Sequence, residues 1–175
     1  MTANTTIDII LRIAFGGFAA MCGLWLLRPK HNRAVTKLKL GRRFGVSAAE
    51  MDALFKPCEN ALFDGFNRVI AVLISLAGLG LLISALPFTG AKSLGLLSAS
   101  GAIIAVLLIA GLQMVFTAKA FTYMRRLYWV NPATWRPGWM TSVEVVWGRL
   151  LGLVFVGFIG AIVFAIISTL IKPGS

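Results

Sequence analysis

The sequence predicts an all-α integral membrane protein whose four transmembrane helices form a compact bundle, with short interfacial helices between them. Three observations predict it. Of 175 residues, 58% are hydrophobic and 13% charged, against about 25% charged residues in a soluble domain. Four apolar runs approach or exceed the roughly 20 residues that a helix needs to cross about 30 Å of hydrocarbon. The basic residues are also concentrated in two of the connecting segments. A chain this short could not bury so much apolar surface in water.

The spans are expected at approximately 7–27, 69–90, 95–117 and 149–171, within a single membrane domain. The runs 69–91, 93–118 and 150–171 contain no Lys, Arg, Asp or Glu. The first span, IDIILRIAFGGFAAMCGLWLL, carries Asp8 and Arg12 at its start. Four residues apart, these two can pair on one helix face, and Arg12 can extend its stem toward headgroups. A secretory signal would carry positive charge ahead of its apolar run. MTANTTID has no Lys or Arg, so the first helix is expected to be retained.

The segment 28–68 opens with RPKHNRAVTKLKLGRRFG, which holds seven Lys or Arg in its first sixteen positions and no acid. Residues 30–43 read as a basic arm along the membrane surface between two helical pieces. Ser47 and Glu50 have capping-box spacing ahead of Met51, Leu54 and Phe55. They predict a short amphipathic helix lying in the interface with its apolar face down. Pro57 suits the first turn of a new helix, and CENALFDGFNRVIAV is expected to run on into the second span. Asp64 and Arg68, four apart, read as a surface pair.

The segment 119–149 is expected to begin as a continuation of the third span, through AKAFTYMRRLYWV. Pro132, Pro137 and Gly138 end it. Thr141 and Glu144 offer a second capping box, and Trp135, Trp139 and Trp147 read as an aromatic belt at headgroup depth.

Charge sets the expected orientation. Segment 28–68 contains nine basic and four acidic residues, and 119–149 contains five basic residues and one acid, Glu144. Only Arg12, Lys92 and Lys172 lie elsewhere. Lys and Arg accumulate on the cytoplasmic side, so both long segments are expected in the cytoplasm and both termini outside it, in a bacterial-type inner membrane. Residues expected to contact anionic lipid or a partner are Arg28, Lys30, Arg33, Lys37, Lys39, Arg42, Arg43, Arg125 and Arg126.

Small residues four apart let helix backbones approach closely in lipid. Gly16 with Ala20, Gly148 with Gly152, and Gly157 with Ala161 and Ala165 are therefore expected packing faces. DGFNRVIAVLIS entering span two resembles EVVWGRLLGLVF entering span four, an order consistent with two parallel helical hairpins.

The chemistry is restricted by what the chain lacks. Cys22 and Cys58 form no CxxC, and His31 is the one histidine. That inventory supplies neither a metal cluster nor a His-based triad. No phosphate-binding glycine loop is present, and no cofactor is expected. Apolar runs without charge disfavour a proton-driven pump, and Gln113 reads as an interhelical hydrogen-bonding residue. The expectation is a non-catalytic membrane subunit or accessory protein. It would bind other integral membrane proteins or further copies of itself, and anionic phospholipid, with no identifiable small-molecule substrate. The alternatives are a small channel or transporter component, then a pore-forming lysis-type protein or a membrane-tethered nucleic-acid binder. Nucleic acid is disfavoured because the arm has no reading motif and its charge already has a topological cause.

Overall fold

The computed structural model describes residues 3–88 and 90–171. Thr89, in the expected second span, and Lys172, in the tail, lie outside the described residues. Within them the chain forms seven α-helices and a short 3-10 turn, without strands. The helices are α1 (Ala3–Leu26), α2 (Pro29–Phe44), α3 (Ala48–Phe55), α4 (Ala61–Ser84), α5 (Ala91–Phe116), α6 (Ala118–Trp129) and α7 (Trp139–Ile171), with the turn at Lys56–Cys58. Four of them, α1, α4, α5 and α7, are long and apolar enough to cross a membrane.

Helix boundaries depart from the apolar runs for local reasons. Helix α4 starts at Ala61 because the Asn60 side chain accepts the Leu62 N–H at 2.8 Å, satisfying a donor that a helix N-terminus leaves open. Helix α7 starts at Trp139, ten positions before the expected span. The basic arm is itself helical. Pro29 occupies its first position, where a missing N–H costs nothing, and Lys, Arg and Leu favour the interior. Arg42 and Arg43 fall in the last turn, where cations suit the helix dipole. Gly45 ends the helix at φ +64°, and the Val46 N–H returns to the Gly41 carbonyl at 3.1 Å, a closure that needs a left-handed residue.

The third span does not continue into AKAFTYMRRLYWV as one helix. Thr117, at φ −122° and ψ 28°, interrupts it. Its hydroxyl and its N–H both bond the Gln113 carbonyl, at 2.7 and 2.8 Å. Such back-bonding by threonine bends helices, and α6 starts afresh at Ala118.

The chain divides into two compact units. One contains residues up to 29 and 67–106, that is α1, most of α4 and the first part of α5. Glycines set its helix approach. A Cβ on Gly16 would lie 2.8 Å from the Gly78 carbonyl oxygen, and one on Gly80 would lie 2.8 Å from that of Gly95. Arg12 pairs with Asp8 through Nε at 3.0 Å, and its Nη1 donates to the Ser84 carbonyl at 3.3 Å. A cation thereby meets the C-terminal end of α4, where the dipole favours it.

The second unit contains 30–66 and the chain from 107 onward. Its core joins Leu40 of α2, Met51 and Phe55 of α3, Cys58 of the 3-10 turn and Leu127 of α6. Tyr123 and Trp135 pack against this core and meet edge to face, with centroids 5.3 Å apart. The apolar face of α3 is therefore turned into protein. Periodicity predicts the lipid interface for this face because it shows that a face must be buried and does not show against what.

Candidate functional site

Most of the basic segment, residues 30–66, belongs to the second unit and Arg28 to the first, and the fold sorts the cations into two groups. In the first group, each cation is held by a carboxylate. Arg33 is buried and grips buried Asp64 with both terminal guanidinium nitrogens, the Nη2–Oδ2 bond being 2.8 Å. Hydrogen bonding to Asp64 raises the Arg33 pKa despite burial. Asp64 thus pairs with Arg33 across 31 positions rather than with Arg68, the partner suggested by spacing.

Lys37 lies between two acids, with its ammonium 2.7 Å from Asp52 and 2.8 Å from Glu59, and 5.6 Å from the centre of the Phe55 ring. Burial works against its charge, but the two carboxylates outweigh it and raise its pKa above the usual lysine value. Arg125 and Arg126 both reach Glu144, at 3.1 Å from Arg125 Nη2 and 2.9 Å from Arg126 Nε. Glu144 is thereby diverted from the capping box expected with Thr141. Thr141 Oγ1 instead accepts the Gly138 N–H at 3.4 Å.

The second group consists of Arg28, Lys30, Lys39, Arg42 and Arg43. All five are exposed, and no ion pair engages them among the described residues. The opening run of seven cations therefore resolves into two structural residues, Arg33 and Lys37, and five surface ones.

The capping box at α3 forms as expected. Glu50 N–H reaches Ser47 Oγ at 3.3 Å, and Ser47 N–H reaches the Glu50 carboxylate at 3.2 Å. The hydrogen bonds from the Ser47 side chain and backbone lower the Glu50 pKa. Cys58 is fully buried, and desolvation pushes its thiol up to about 12. Thr36 and Tyr128 share a hydroxyl–hydroxyl hydrogen bond of 3.2 Å that links α2 to α6.

Along α2 runs an open groove of about 1170 Å³. One wall is the α2 face carrying Lys30, Arg33, Ala34, Lys37, Leu38 and Arg42, and the other includes Val46, Met51, Asp52 and Glu59. The turns after α2 and α3 fold the chain back on itself and create the groove. No sequence motif announces it.

The small-residue faces fall into two classes. Gly16 and Ala20 meet Gly78, and Gly152 meets the Gly111 carbonyl, 2.8 Å from where a Cβ would stand. Gly148 has Ala118 nearby, at 3.9 Å from such a Cβ. Gly157, Ala161 and Ala165 are exposed, and a Cβ on Gly157 would meet nothing within 4 Å. Of the expected aromatic belt, Trp139 and Trp147 are exposed while Trp135 packs on the core.

With four membrane-length apolar helices, the chain is a multi-pass, all-helical membrane protein. No protein-family model matches it, and neither a curated protein nor a solved structure does.

Proposed function

We propose that this chain is a non-catalytic subunit or accessory protein of a larger assembly in a bacterial-type inner membrane. Both termini lie outside the cytoplasm, and segments 28–68 and 119–149 lie within it. One observation carries the reading: α7 leaves Gly157, Ala161 and Ala165 exposed, while Gly16 and Gly152 meet other backbone within their own units. Lipid tails gain nothing from small side chains, whereas a second helix gains close approach. This face belongs to a partner helix, from another membrane protein or a second copy. The exposed cations Arg28, Lys30, Lys39, Arg42 and Arg43 face anionic headgroups, each contributing about 1 kcal/mol near such a surface.

Co-purification in mild detergent tests the assembly reading. At matched expression and insertion, Ala161→Leu should reduce partner recovery about tenfold or more, since forcing backbones apart costs about 1–3 kcal/mol. If the native protein recovers no partner and, when purified, moves a solute across vesicles by itself, a channel or transporter replaces this reading.

A further inference from the structure

We propose that the groove along α2 is a binding site for one anionic phospholipid, with its headgroup phosphate held by Lys30 or Arg42 and an acyl chain laid over Leu38. The assignment rests on the membrane-surface placement of α2 proposed above.

The groove, open and about 1170 Å³, has room for a ligand at or above the roughly 300–1,000 Å³ that suits a drug-sized molecule. Its charge follows from the pairing. Asp64 is neutralised by Arg33, and Lys37 is shared between Asp52 and Glu59. Lys30 and Arg42 remain, and neither has a carboxylate partner among the described residues. Four cations against three carboxylates leave the groove one positive charge in excess. The unpaired cations lie near the two ends of α2, twelve positions apart, or roughly 18 Å at 1.5 Å per residue. Between them Leu38 is 61% exposed, an apolar side chain presented to whatever fills the groove.

Position favours a lipid over a soluble anion. Helix α2 begins three positions after α1, a candidate span, and Ala61, the first residue of the candidate span α4, itself lines the groove. The Lys30 end therefore belongs to the stretch of chain that leaves and re-enters the bilayer. A headgroup held by either cation leaves its chain free to follow the apolar wall.

Native mass spectrometry of the full chain in detergent, with helical content checked by circular dichroism, tests the site. Phosphatidylglycerol should add a single tight adduct, and phosphatidylcholine should bind at least about tenfold more weakly. Lys30→Gln with Arg42→Gln should weaken the phosphatidylglycerol adduct about thirtyfold, the effect of two cations near an anionic surface. Lys39→Gln with Arg43→Gln lies off the groove and should change it less than about threefold. Leu38→Gln should weaken the lipid adduct, and glycerol 3-phosphate, which has no chain, should bind poorly to native protein. Equal binding of the two lipids overturns the proposal. So does an adduct that tolerates loss of Lys30 and Arg42, or glycerol 3-phosphate binding as tightly as lipid. An Ala161→Leu protein that keeps its partners would remove the α7 contact face, and native protein that recovers no partner would remove the assembly reading, in neither case altering these adducts.

Discussion

Asp64, in the first turn of a membrane-length helix, is held by Nη1 and Nη2 of Arg33, thirty-one positions earlier in the chain. Both residues are buried, at 7% and 8% exposure. The pair fixes α2 to the start of α4, and it withdraws from the surface a cation that sequence alone assigns to anionic lipid or a partner.

Removing one partner should cost more than removing both. Asp64→Asn leaves a buried guanidinium uncompensated, which costs about 3–5 kcal/mol. Arg33→Met with Asp64→Leu should recover most of that loss. Thermal denaturation of purified protein in detergent, followed by tryptophan fluorescence, measures both.

The core of the second unit should be sensitive to truncation. Phe55 is fully buried, and Phe55→Ala should cost about 3–5 kcal/mol through lost burial and the cavity left behind. Limited proteolysis should then cut within 30–66 before it cuts elsewhere.

Cys58 should resist maleimide at pH 8 in the folded protein and react once denaturant is added. Its thiol pKa, about 12, is above the usual 9.0, so folding favours the neutral form. The stabilisation is complete below pH 9 and falls as pH rises toward 12, because the unfolded thiol ionises first. Lys37, also raised from its usual 10.5, has stabilisation present below pH 10.5 that is lost as pH rises through its folded value. Stability should therefore decline on the alkaline side, as a pH series of melting temperatures would record.

The proposed orientation is checked by labelling. A cysteine at Ser93 should react with an impermeant reagent from outside, and one at Ala34 should not; both positions are exposed. The opposite pattern reverses the topology.

Glycine substitutions should separate internal packing from assembly. Gly16→Leu meets the Gly78 carbonyl and should destabilise the purified protein by about 1–3 kcal/mol. A Cβ on Gly157 would meet nothing within 4 Å, and the position is exposed, so Gly157→Leu has room to project outward. It should leave the melting temperature nearly unchanged while weakening partner recovery.

The amino-acid sequence by itself determined the all-helical class, four membrane-length apolar helices, the Ser47–Glu50 cap and the Asp8–Arg12 pair. These are local properties, because helix periodicity, capping and i,i+4 pairing operate within a few residues. Only the tertiary structure decided which cations are structural and which are free. Arg33 and Arg28 are alike in sequence, but folding brings Asp64 to one of them, and the pairing partner of a charge is set by contacts across the chain. The same holds for Gly152 and Gly157, five positions apart on α7: a Cβ on one would meet the Gly111 carbonyl and a Cβ on the other nothing within 4 Å. A small side chain records that close approach is possible, and only the packed neighbour determines whether it occurs.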